Sequence, residues 1–75
     1  MSRRLPALTP KDVYRILTRA GFTLHHTTGS HYILKHPQKP LRVTIPWHTK
    51  DLKLGTLRSI IEQAGFTVDQ FADLL

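Results

Sequence analysis

The phrase Ala-Gly-Phe-Thr occurs twice in this chain, at 20–23 and at 64–67, and each copy closes an amphipathic run. A glycine just past a helix adopts the left-handed conformation other residues resist, and the apolar residue after it packs back on the last turn. Two helix ends are thereby fixed. The chain has 75 residues in all. A chain of this length supports one domain, expected here over residues 1–75, with a core near the lower limit for independent folding. A cofactor-sized cavity has no room beside such a core, so a Rossmann or barrel enzyme is excluded and no cofactor is expected.

The start of the first helix is as well marked as its end. Thr9 offers an N-cap oxygen, Pro10 sits at N1, Asp12 at N3 completes a capping box, and Leu8 and Val13 stand at staple positions. Val13, Ile16, Leu17 and Ala20 form one apolar stripe, which predicts a helix over about residues 10–20. After it, Phe22, Leu24 and His26 alternate with Thr23, His25 and Thr27, as in a strand with one core face. Thr28-Gly29-Ser30 reads as a turn, and His31 to Lys35 as a second strand. Pro37 and Pro40 delimit the next turn. Leu41, Val43 and Ile45 then give a third strand its inward face, with Pro46 stopping it. Trp47 to Lys53 is a polar loop. Leu54, Leu57, Ile60, Ile61 and Ala64 follow at helical spacing, and Thr67 with Gln70 caps a short last turn stapled by Phe66 and Phe71. The expected fold is a small α+β domain of order α-β-β-β-α. Its three-stranded antiparallel sheet carries two helices on one face and leaves the other face wet.

Charge is distributed unevenly. Residues 1–58 hold all eleven basic residues and only Asp12 and Asp51, a balance of +9, whereas residues 59–75 hold three acids and no base. A field this lopsided suits a polyanion, of which RNA and DNA are the usual examples. The absence of cysteine fits a reducing compartment, and no apolar run approaches the ~20 residues of a membrane span. The chain is expected in the cytoplasm, away from membranes.

Elimination narrows the chemistry. The basic part of the chain has too few carboxylates for a two-metal nuclease, and no G-x-S-x-G elbow or glycine-rich phosphate loop is present. Five histidines lie between positions 25 and 48, none paired at the helical spacing of a zinc protease, so no metal site is expected. An imidazole that titrates near neutral pH accepts and returns protons. RNA suits such a group, because its 2′-OH is an internal nucleophile that needs only deprotonation to attack the adjacent phosphorus.

His31, after Gly29-Ser30 at a turn and at the start of a strand, is the candidate catalytic residue, with Gly29 and Ser30 beside the phosphate. His48 in the polar loop is the second candidate; His25 and His36 read as solvent-facing, and His26 as the edge of the core side. Lys50 and Lys53 before the second helix, and Lys35 and Arg42 on the wet sheet face, are candidate substrate contacts. Lys11, Arg15 and Arg19 form a basic stripe on the first helix. The same residues also fit an RNA-binding module without chemistry, or a basic face that meets only an acidic partner.

Gly29-Ser30-His31, Val43-Thr44-Ile45-Pro46-Trp47-His48, Leu52 to Ile61 and Ala64-Gly65-Phe66 together resemble the HicA toxins of bacterial type II toxin–antitoxin systems. The resemblance implies a double-stranded-RNA-binding-domain-like fold, ribonuclease activity on mRNA, and neutralisation by a HicB-type antitoxin that covers the active site. It also implies a catalytic histidine at His31.

Overall fold

The computed structural model describes residues 4–75; Arg3 of the basic body lies outside the described residues. The elements are α1 (Pro10–Arg19), β1 (Thr23–Thr28), β2 (His31–Lys35), β3 (Arg42–Pro46), α2 (Leu54–Gln63) and α3 (Val68–Ala72). They form the expected α+β domain around an open antiparallel sheet of order β1-β2-β3.

Local hydrogen bonding explains the helix ends. Thr9 Oγ1 accepts from the Asp12 N–H at 3.2 Å, and the Asp12 carboxylate accepts from the Thr9 N–H at 2.9 Å. Hydrogen bonding to that carboxylate, from the Thr9 backbone N–H first and the Thr9 side chain second, holds the Asp12 carboxyl below the usual carboxylate range. Thr67 and Gln70 repeat the box at α3. Both Ala-Gly-Phe-Thr phrases close as Schellman motifs. Phe22 N–H reaches Leu17 O at 3.0 Å and Gly21 N–H reaches Thr18 O at 3.1 Å. Phe66 N–H reaches Ile61 O at 3.1 Å and Gly65 N–H reaches Glu62 O at 2.9 Å. The glycine φ values are 103° and 80°. A Cβ on Gly65 would also stand 3.2 Å from Leu41 Cδ1. Gly65→Ala should therefore lower stability by about 1–2 kcal/mol, read as a lower urea midpoint at unchanged slope.

One sheet face carries the core. Leu34 pairs with Val43 and Tyr32 with Ile45, and Leu34, Val43 and Ile45 are fully buried with Val13 and Leu17 of α1 and Leu57, Ile60 and Ile61 of α2. Phe71 of α3 closes the same cluster. His31, Ile33 and Lys35 of β2 alternate onto the opposite face, with Arg42 and Thr44 of β3 as their neighbours. Ile33 is buried yet stands outside the core cluster, as its place on that face requires.

β1 departs from the sequence expectation. Phe22, just before the strand, is in the core, but all six residues of β1 are exposed, Leu24 by 42 %. The register runs Leu24↔Leu34 and then His26↔Ile33, so His25 is the extra residue of a β-bulge. The bulge reverses the alternation and moves His26 off the core side onto the open face. β3, at the other edge, is held by α2: the Thr44 N–H donates to Gln63 Oε1 at 3.0 Å, and Gln63 Nε2 donates to Ser59 Oγ at 3.2 Å. Among the described residues, no helix is long and apolar enough to cross a membrane.

Candidate functional site

The β1–β2 turn is fixed from the far strand. The Trp47 N–H donates to Ser30 O at 2.7 Å, and His31 is the register partner of Pro46. Ser30 Oγ lies 3.2 Å from His31 Nδ1, so one ring nitrogen is engaged while the imidazole stays exposed. At Gly29 a built Cβ would meet nothing within 4 Å. The turn backbone is thus open to a ligand right beside the imidazole.

Three aromatic rings support this end of the sheet. Tyr32 and Trp47 stack at 3.7 Å with an interplanar angle of 11°, and Tyr14 of α1 packs edge-on to each at 5.8 Å. Their half-buried rings lie against the core. They engage one another, and so anchor the segment that pins the turn.

The loop after Trp47 gathers the second set of candidates. His48, Lys50 and Lys53 line one cleft of about 380 Å³, with Pro46 on its wall. Pro46 faces His31 across the sheet, so this cleft adjoins the histidine turn. His48 Nδ1 accepts the Lys50 N–H at 3.2 Å and so shapes the loop. His48 also lines a smaller cleft, about 280 Å³, with Lys11, Trp47, Thr9 and Thr49. Lys53 is the N-cap of α2, and its side chain makes no capping hydrogen bond.

Lys35 and Arg42 stand elsewhere. They are register partners at the opposite end of β2 from His31. Beside them, the bulge sets His25 and His26 with Nδ1 atoms 2.6 Å apart and ring centroids 4.9 Å apart. Lys35 above all, then burial, His26 and Arg42, hold the His25 imidazole below its ordinary pKa. Strict alternation sends sequence neighbours to opposite faces, so the strand pattern alone does not join this pair. The available signal was the lack of an apolar residue after Leu24 to hold β1 in register. His36 has a structural role: its Nδ1 accepts the Gln38 N–H at 3.1 Å and its ring meets Phe22 edge-on at 5.2 Å. Arg15 and Arg19 line a cleft with Leu75, on the helical side. Among the described residues, no group of three or more His, Cys, Asp or Glu is placed to hold a metal ion.

A helix-covered sheet whose bare face carries histidines and cations, with a pinned turn at one end, defines a small basic α+β domain. Residues 10–66 match the family model for the HicA toxin of bacterial toxin-antitoxin, from the first residue of α1 to the phenylalanine that closes α2. The chain belongs to that family and is the toxin half of a two-part system, with an antitoxin as its partner. No curated protein matches the chain in sequence.

Proposed function

We propose that residues 1–75 act as one toxin domain, a metal-independent endoribonuclease that cleaves mRNA in the cytoplasm with His31 as its catalytic histidine. The observation that supports this best is the pinned turn: an exposed imidazole held by Ser30, with the open backbone of Gly29 beside it. Neutral His31 takes the proton of an RNA 2′-OH. The freed oxygen attacks the adjacent phosphorus and the 5′-oxygen of the next nucleotide leaves, taking a proton from solvent water, while the exposed His31 releases the one it accepted. The product ends in a 2′,3′-cyclic phosphate. Ser30 and the Gly29 backbone position the scissile phosphate, and His48, Lys50 and Lys53 hold RNA in the adjoining cleft. Lys35 and Arg42 hold the strand further along β2. A HicB-type antitoxin neutralises the toxin by covering this surface.

The test is cleavage of an RNA oligonucleotide by the purified protein in excess chelator. Cleavage with a cyclic-phosphate end, abolished by 2′-O-methylation at the scissile nucleotide, is the expected result. Intact RNA after long incubation, with salt-dependent binding, would make the protein an RNA-binding module instead. Cleavage lost only on adding chelator would assign a metal enzyme.

A further inference from the structure

The open sheet face is longer than the site around His31 requires. His31 and Lys35 share that face of β2 at a separation of four residues, roughly 13 Å along the strand. That exceeds what the scissile phosphate and its neighbouring groups can bridge, so the far end meets a different part of any strand lying on the sheet. Three features mark that end as built for an anion. Lys35 and Arg42 are adjacent across the β2–β3 ladder. The bulge adds two exposed imidazoles from β1, in contact with each other, and of these His25 feels the charge of both cations. No aspartate or glutamate occurs anywhere in residues 13–50, so none of the three strands offers these cations a carboxylate.

We infer that His25, His26, Lys35 and Arg42 form a second phosphate subsite, which grips the RNA backbone away from the scissile bond and tightens as His25 takes up a proton. The inference rests on RNA being the target proposed above. A phosphate group accepts from the Lys35 ammonium and the Arg42 guanidinium, the latter in a two-pronged fashion. With that site empty, the surrounding positive charge disfavours protonation of His25: Lys35 acts from β2, Arg42 from β3, and His26 from its own strand. A bound phosphate supplies the missing negative charge and reverses this preference. Proton uptake and RNA binding therefore favour each other, and affinity rises as pH falls through the histidine range. The chemistry is binding alone, with no bond made or broken at this end.

The test uses a 2′-O-methyl oligoribonucleotide, which the His31 reaction cannot cleave, so binding is read apart from catalysis. The wild-type chain and a His25→Asn/His26→Asn double variant are titrated at pH 5.5 and 7.5 over a range of salt. Wild type should bind about three- to tenfold tighter at the lower pH beyond any gain in the variant. Its salt slope there should be steeper by roughly 0.7 for each phosphate engaged. Both side chains are exposed, and coincident circular dichroism spectra would show that the variant folds. Lys35→Gln should weaken binding at both pH values. An equal pH gain in variant and wild type overturns the subsite, and intact cleavage of ordinary RNA in the same preparations would leave the His31 reading standing. Failure of wild type to bind at low salt overturns it as well. Tighter binding of polyglutamate than of the oligonucleotide, lost in the double variant, would assign the face to an acidic protein.

Discussion

His31→Ala should slow RNA cleavage by about 10²–10⁴-fold, the range that a positioned acid or base contributes. The fold should survive the change. His31 is exposed, and its strand is held by backbone pairing to β3 and by the Trp47 N–H on Ser30. RNA should still bind through the cations of the open face and the α2 cleft, so the loss belongs to the rate and not to affinity. His31→Gln sharpens the reading, because glutamine keeps a polar group near Ser30 but titrates at no relevant pH. If proton transfer is the role, Gln should be nearly as slow as Ala. Wild-type rates in His31→Ala would remove His31 from the reaction. A fast Gln variant beside a slow Ala variant would make it a positioning residue.

Phe71→Ala should have the largest effect on stability, about 3–5 kcal/mol. Its ring is fully buried in the core cluster although it sits in the five-residue α3 near the acidic end of the chain. A domain of this size has a total stability of roughly 4–11 kcal/mol, so the loss takes a large share of it. At about 4–8 °C for each kcal/mol, the thermal midpoint should fall by about 12 °C or more. The effect comes from a cavity in the core beside α2 and touches none of the residues on the open face. At a temperature where the variant stays folded, RNA affinity should therefore match the wild type. A midpoint within about 3 °C of the wild type would mean that α3 closes nothing essential.

What the sequence reveals and what it hides divide along one line. Thr9, Asp12, Gly21, Gly65 and Thr67 act within a turn of where they stand, and each was legible because capping and left-handed glycines are local chemistry. The α-β-β-β-α order and the buried faces of α1, β3 and α2 follow from apolar spacing in the same way. The candidate site was legible as a set of residues but not as an arrangement. His31, Ser30 and the His48–Lys53 loop share one end of the sheet and Lys35 with Arg42 the other, because pairing register decides which distant residues become neighbours. His26 was misplaced for the same reason. Its side was set by a bulge that answers to β2, and no apolar residue after Leu24 announced it.

The two edges of the sheet are unlike, and the difference bears on how the molecule behaves in a crowd. An exposed edge strand is an invitation to strand exchange with another chain. On β3 the amide of Thr44, which would recruit a fourth strand, is already occupied by Gln63 from α2. On β1 the insertion at His25 interrupts the regular spacing of donors and acceptors that an incoming strand must match. Edge-to-edge stacking is discouraged on both flanks by different devices. One of these devices also brings two histidines together, so a safeguard against aggregation and a grip on phosphate would share a single extra residue.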